Sequence, residues 1–154
     1  MNLCMVGAGY VGLVSGTCFA DLGNKVYCVD KDIDKIKKLN LLISPIYEPG
    51  LDELIKKNRS DGRLIFTDNL KKAVKNSDII FICVGTPTKK KSISADLRQV
   101  YNAVKEVAKS INKFKIIITK STVPVTTGDK IEKILSKKNN KNKFSVVSNP
   151  EFLR

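Results

Sequence analysis

The first 30 residues, Met1–Asp30, read MNLCMVGAGYVGLVSGTCFADLGNKVYCVD and decide the fold. The apolar run MNLCMV predicts a short strand that stops at Gly7. The next stretch, YVGLVSGTCFADLG, has helical spacing and closes on Gly23, a residue typical of helix C-termini. KVYCVD then predicts a second strand that ends in an acid. A strand, a helix and a second strand in this order indicate a βαβ unit with parallel strands.

The motif GAGYVG joins the first strand to the helix. Gly7 permits the tight turn, Gly9 leaves room for a pyrophosphate to approach the backbone, and Gly12 lets the helix pack close to the sheet. The helix N-terminus, which carries Tyr10 and Val11, offers free N–H groups and the positive end of the helix dipole. We therefore predict a dinucleotide-binding loop. The alternative is that the glycines serve only turns and packing. It has less support because the motif follows a predicted strand and opens a predicted helix, as a dinucleotide-binding loop does.

An acid closes the second strand, where a ribose-binding carboxylate is expected. Asp30 follows Gly12 by 18 residues, and its carboxylate can accept hydrogen bonds from both ribose hydroxyls. The same charge would repel the additional phosphate of NADP, so we predict NAD as the cofactor. Lys35 lies on the following helix and could reach back towards the nucleotide. An ordinary surface lysine is an equally good interpretation of Lys35.

Strand and helix patterns alternate through the rest of the chain. RLIFT, DIIFICVG, KIIITK and FSVVSNPE predict four more strands, and Asp68 is expected to cap the helix after RLIFT. Right-handed crossovers between six strands give a doubly wound, Rossmann-type parallel sheet of the α/β class, in the order 3-2-1-4-5-6. The length of 154 residues suits one domain.

Polar residues follow three strands of this predicted sheet, in the segments VGTPT, KSTVP and SNPEF. Each segment alone is typical of ordinary turns. Because ligands bind at the carboxyl ends of parallel strands, three such segments at one edge favour a site. Glu151 is expected to be the only acid there besides Asp30, and is a candidate for proton transfer or for positioning water. The candidates for cofactor contact from these loops are Gly85, Thr86, Ser121 and Thr122.

The composition limits the other functions. The net charge of +13 raises a nucleic-acid hypothesis, but the lysines are spread along the chain and favour a solvated surface without specific nucleic-acid binding. The chain has no His and its four Cys form no CxxC pair, so no metal site is predicted. We expect the four Cys to be buried thiols in a cytoplasmic protein, and we expect no association with a membrane.

Six segments in order, GAGYVGLVSG, IYEPGL, VGTPT, SADL, KSTVP and SNPEFLR, closely resemble the UDP-glucose 6-dehydrogenase family of nucleotide-sugar dehydrogenases. The resemblance covers the whole chain and implies that residues 1–154 are the N-terminal NAD-binding domain. It also implies that the family's central helix and UDP-sugar-binding domain are absent from this chain. The segment IYEPGL is more similar to the UDP-glucose branch than to the GDP-mannose or N-acetylmannosamine branches.

The resemblance implies oxidation of UDP-glucose to UDP-glucuronate with two NAD, through a thioester on a Cys that none of the four Cys here matches. By the same resemblance, Thr122 helps to hold the attacking water and Glu151 assists proton transfer. Glu151, Phe152 and Leu153 are the expected substrate contacts, and Phe152 and Leu153 match the start of a loop that holds the nucleotide sugar. The chain alone is expected to be a monomer that binds NAD without turnover, whereas the complete enzyme would be a homodimer or larger.

The residues that match family positions for the cofactor are Gly7, Gly9, Gly12, Asp30, Lys35, Thr86 and Thr122. Tyr10, Val11, Gly85 and Ser121 are further candidates for cofactor contact. Two alternatives remain open. One is a non-catalytic NAD-binding module with a protein partner, and the other is a related dehydrogenase that acts on a different nucleotide sugar or on a 3-hydroxyacid.

Overall fold

The computed structural model describes residues 1–88, 94–139 and 143–151. Strands and helices alternate along most of the chain, as the hydrophobic pattern predicts. The elements are β1 (Asn2–Val6), α1 (Tyr10–Asp21), β2 (Lys25–Val29), α2 (Ile33–Asn40), α3 (Leu51–Ser60), β3 (Leu64–Thr67), α4 (Leu70–Asn76), β4 (Ile79–Ile82), α5 (Arg98–Ala108), β5 (Lys115–Thr119), α6 (Thr127–Ser136) and β6 (Phe144–Ser148).

All six strands form one parallel sheet in the order β3-β2-β1-β4-β5-β6, which confirms the predicted fold class and strand order. The central strand β1 pairs with β2 on one side and with β4 on the other; Cys4 lies opposite both Tyr27 and Ile80. The chain reverses its direction of winding between β1 and β4. Such a switch point opens a crevice at the carboxyl ends of the strands.

Alternate residues of each strand enter one of two core layers. Leu3 and Met5 face the layer formed with α1, α2 and α3, whereas Cys4 and Val6 face the layer formed with α4, α5 and α6. Burial on both faces explains why the inner strands β1, β2 and β4 are apolar along most of their length rather than alternating.

Two local predictions are wrong. Asn69, rather than Asp68, caps α4, because the Asn69 side chain accepts a hydrogen bond from the Lys72 N–H at 2.9 Å. Cys18 is exposed on α1, whereas the other three cysteines are buried as predicted. Cys18 lies on the outer face of the helix, and a helix periodicity with few polar residues does not reveal that face.

Among the described residues, no helix combines the length and the apolar character that a membrane crossing requires.

Candidate cofactor-binding site

Two adjoining cavities lie at the carboxyl ends of the strands. The β2-side cavity measures about 470 Å³ and the β6-side cavity about 360 Å³. They share Gly9, Cys83, Val84 and Gly85, so the glycine turn and the end of β4 form a waist between them. The β2-side cavity is also lined by residues that include Gly7, Asp30, Lys35, Asp68, Gln99, Asn102 and Glu106. The β6-side cavity is also lined by Tyr10, Val11, Thr86, Lys120, Ser121, Thr122 and Glu151.

The three motif glycines differ in what surrounds them. Gly7 has a φ of +107°, and a Cβ there would lie 2.7 Å from the Cys83 carbonyl oxygen. A Cβ on Gly12 would lie 1.9 Å from the Gly7 carbonyl oxygen. Packing therefore requires both glycines. A Cβ on Gly9 would have no heavy atom within 4 Å. Packing therefore does not require a glycine at this position, and the space beside Gly9 at the waist is open.

Asp30 follows β2 and lines the β2-side cavity. Its carboxylate accepts hydrogen bonds from the Ala8 N–H at 3.0 Å, the Asp32 N–H at 3.1 Å and Lys35 Nζ at 2.7 Å. Burial alone would raise the pKa of the Asp30 carboxyl. The hydrogen bond from Lys35 and those from the two N–H groups outweigh burial and hold that pKa below its usual value. The structure thus places Lys35 at the site rather than on open surface.

Main-chain and hydroxyl contacts join the loops after β4, β5 and β6. The Ser121 hydroxyl donates to the Val84 carbonyl at 2.6 Å, which ties the loop after β5 to the loop after β4. The Thr122 hydroxyl donates to the Glu151 carbonyl at 2.9 Å, and the Glu151 N–H donates to the Lys120 carbonyl at 3.2 Å. The three polar loops therefore converge on one cavity.

Lys120 is a site residue that the sequence argument missed. Its Nζ lies 2.9 Å from Glu151 Oε2, and the two side chains are 18% and 34% exposed. The sequence feature that could have indicated it is the position of Lys120 at the end of the apolar strand pattern KIIITK. A cation at the carboxyl end of a buried strand lies where ligands bind.

Glu48 is a second residue near the site that the sequence did not indicate, and it contacts Tyr10. The phenol of Tyr10 donates to the carboxylate of Glu48, which lies between α2 and α3. That hydrogen bond is the main cause that raises the pKa of the Tyr10 phenol, with smaller contributions from slight desolvation and from the charges of Glu48 and Glu151. The expectation that Glu151 would be the only acid at this edge besides Asp30 is wrong, because Asp68 and Glu106 also line the β2-side cavity.

Cys83 lies directly beneath the waist. It was expected inside β4 but follows it, although its N–H still donates to the Val6 carbonyl at 2.9 Å. Burial raises the pKa of the Cys83 thiol to about 12; Lys120 acts in the opposite direction and Glu151 in the same direction. Cys83 is therefore a neutral thiol at physiological pH and a poor nucleophile.

Phe152 and Leu153, predicted to contact a nucleotide sugar, lie outside the described residues. Within residues 1–88, 94–139 and 143–151, no group of three or more His, Cys, Asp and Glu side chains is arranged to hold a metal ion.

Residues 1–154 match the family model described as "UDP-glucose/GDP-mannose dehydrogenase family, NAD binding domain". The chain is similar to the UDP-glucose 6-dehydrogenase of Rhizobium meliloti (strain 1021), with 54% identity over 100% of this chain and 35% of the relative. It is 51% identical to a UDP-glucose 6-dehydrogenase of Bacillus subtilis (strain 168), over 99% of this chain and 33% of the relative. The chain thus spans about a third of the length of these curated relatives.

Two solved structures of nucleotide-sugar dehydrogenases are similar to this chain over almost its whole length. A UDP-glucose dehydrogenase from Pyrobaculum islandicum superposes with a TM-score of 0.92 at 39% identity, covering 99% of this chain and 36% of that one. A ternary complex of GDP-mannose dehydrogenase from Pseudomonas aeruginosa superposes with a TM-score of 0.91, also at 39% identity, covering 100% of this chain and 37% of that one.

Proposed function

Because the chain belongs to the UDP-glucose/GDP-mannose dehydrogenase family and corresponds to its NAD-binding domain, we propose that it is the cofactor-binding part of a UDP-glucose 6-dehydrogenase. On this proposal the whole protein oxidises UDP-glucose to UDP-glucuronate with two NAD. The central helix, the UDP-sugar-binding domain and the nucleophilic Cys belong to the rest of that protein. On the proposal none of the four Cys in this chain is that nucleophile: Cys4 and Cys28 are buried in the core, Cys18 lies on α1, and Cys83 lines the cavities as a neutral thiol.

The observation that carries the proposal is the open space at Gly9 beside the Asp30 carboxylate. Gly9 belongs to both cavities, so a pyrophosphate at this point would place one nucleoside in each. Asp30 supplies acceptors for ribose hydroxyls on the β2 side, and Lys35 orients its carboxylate. The negative charge of Asp30 disfavours a ribose phosphate, which favours NAD over NADP.

The nicotinamide half of NAD then belongs in the β6-side cavity, beside Gly85, Thr86, Ser121, Thr122 and Glu151. NAD, when bound, accepts a hydride from the substrate. The hydroxyl of Thr122 fixes the backbone at Glu151, whose carboxylate faces the same cavity. Glu151 can hold or pass a proton there, and Thr122 can help to orient a water molecule. Phe152 and Leu153 would begin the contact with the nucleotide sugar.

UDP-glucose is the proposed substrate because two curated relatives, at 54% and 51% identity, are named UDP-glucose 6-dehydrogenase. The two solved structures do not discriminate between sugars, since both are 39% identical to the chain. We propose that the whole protein is a homodimer or larger and that this chain alone is a monomer.

A turnover assay tests the proposal. The whole protein should form NADH with UDP-glucose and much more slowly with GDP-mannose. This chain alone should bind NAD but form no NADH with either sugar nucleotide. Preference of the whole protein for GDP-mannose, or NADH formation by this chain alone, would contradict the proposal.

A further inference from the structure

Lys120 and Glu151 form an ion pair in the lining of the β6-side cavity. Nζ of Lys120 lies 2.9 Å from Oε2 of Glu151, and both side chains line the cavity. Lys120 is the more enclosed of the two, at 18% exposed. Charges held in a partly enclosed site act on a ligand more strongly than surface charges, because water screens them less.

Of the described residues that line this cavity, only Lys120 and Glu151 carry a charge at neutral pH. Cys83 is a neutral thiol because burial raises its pKa to about 12. Tyr10 is neutral as well, since its phenol donates to Glu48 and its pKa is raised. The Glu48 carboxylate accepts the hydrogen bond from that phenol and is not one of the residues that line the cavity.

The two oxidation states of a nicotinamide differ in charge at the ring. NAD carries a positive ring, and NADH carries a neutral one. A paired Lys120 and Glu151 present nearly balanced charge to that ring. Loss of either partner would leave the other uncompensated, and the uncompensated charge would act on NAD and NADH differently.

We propose that Lys120, through its ion pair with Glu151, sets the discrimination between the oxidised and the reduced nicotinamide cofactor. The inference rests on the proposed function, which places the nicotinamide half in the β6-side cavity. Lys120 is a positioning and charge-balancing residue here. It prevents Glu151 from holding NAD too tightly relative to NADH.

The test compares dissociation constants for NAD and for NADH with this chain, measured by calorimetry at one pH and one salt concentration. Lys120→Met should raise the ratio of the NADH constant to the NAD constant by about tenfold, since Glu151 is then unpaired. Glu151→Gln should lower the same ratio by a similar factor. The double variant should return close to the original ratio, and Lys120→Arg should preserve it.

Lys113→Met is the matched control. Lys113 pairs with Asp78 at 2.6 Å, and both residues precede strands, so they lie at the opposite end of the sheet. This variant removes the same charge from the protein and should leave the ratio unchanged. If the role of Lys120 were purely structural, Lys120→Met would weaken the binding of NAD and of NADH by the same factor.

The outcomes separate the inference from the proposed function. If the unsubstituted chain binds NAD and NADH but no Lys120 or Glu151 variant changes their ratio, the inference is wrong and the proposed function stands. A ratio that moves in the same direction for Lys120→Met and Glu151→Gln would also overturn the inference. If the unsubstituted, folded chain binds neither cofactor, the proposed function itself fails. Opposite shifts that cancel in the double variant would support the inference.

Discussion

Lys35 and Asp30 form an ion pair across the first turn of α2, with Nζ 2.7 Å from Oδ2, at the point where β2 ends. The Asp30 side chain is only 12% exposed, and the Ala8 N–H of the glycine turn shares the same carboxylate oxygen. A single carboxylate thereby connects the glycine turn, the exit of β2 and α2. These contacts hold the Asp30 carboxylate in the lining of the β2-side cavity.

The Asp30 contacts should make stability depend on pH in the acid range. The pKa of Asp30 is lower in the folded chain than its ordinary value of about 3.9. The folded state therefore binds fewer protons, and the stabilisation is present above that value and lost as pH falls through the lower, folded-state pKa. Asp30→Asn should cost about 1–3 kcal/mol at pH 7. Its difference from the unsubstituted chain should shrink steadily below about pH 4, as followed by urea unfolding. A difference that is independent of pH would contradict this account of Asp30.

The same added methyl group should reduce stability at Gly12 and reduce NAD affinity at Gly9. Gly12→Ala would place a Cβ 1.9 Å from the Gly7 carbonyl oxygen, so we expect a loss of at least about 3 kcal/mol of stability or failure to fold. Gly9→Ala meets no atom within 4 Å, and should change stability by about 1 kcal/mol or less. It should nevertheless weaken NAD binding at least about tenfold. Thermal unfolding and calorimetry of the two variants check both halves, and unchanged NAD affinity in Gly9→Ala would contradict the role of the open space.

The hydrogen bond from Tyr10 to Glu48 should be visible in an alkaline titration. Because that bond is the main cause of the raised phenol pKa, Glu48→Gln should lower the pKa of Tyr10. The measurement is the ultraviolet absorbance of ionising tyrosines, with Tyr10→Phe as the control that assigns the signal. A Tyr10 titration that is identical with and without the Glu48 carboxylate would show that the contact does not form in solution.

Thiol reactivity checks the two core layers. Cys18 is exposed, whereas Cys4, Cys28 and Cys83 are buried, and burial raises the pKa of each of these three thiols. One thiol of the folded chain should therefore react rapidly with a disulfide reagent, and Cys18→Ser should abolish that fast phase. More than one fast thiol in the folded chain would contradict the packing described here.

Periodicity and turn chemistry were sufficient to predict the sheet. Apolar strand patterns alternate with helical patterns, and a parallel sheet with both faces covered by helices is the arrangement that buries the strands. The Gly7–Gly12 turn and Asp30 were predictable because a fixed spacing along one βαβ unit brings them together. Lys35 lies on α2, directly after that unit, and its two interpretations could not be separated until its distance to Asp30 was known.

Contacts between distant segments could not be predicted in the same way. Lys120 meets Glu151 only because β5 and β6 are neighbours, and Tyr10 meets Glu48 across 38 residues. Lys115 opens β5 yet is fully buried, with its Nζ donating to the Ser77 carbonyl at 2.5 Å. No local pattern distinguishes that lysine from a solvated one.

Calorimetric titration of this chain with NAD and, separately, with NADP tests the central claim most directly. The unsubstituted chain should bind NAD and reject NADP. Asp30→Ala should weaken NAD binding by about tenfold or more and reduce the preference against NADP, because a buried acceptor for the ribose hydroxyls and a repelling charge are both lost. Equal binding of NAD and NADP by the unsubstituted chain, or an Asp30→Ala variant that binds NAD as before, would contradict the assignment of the site.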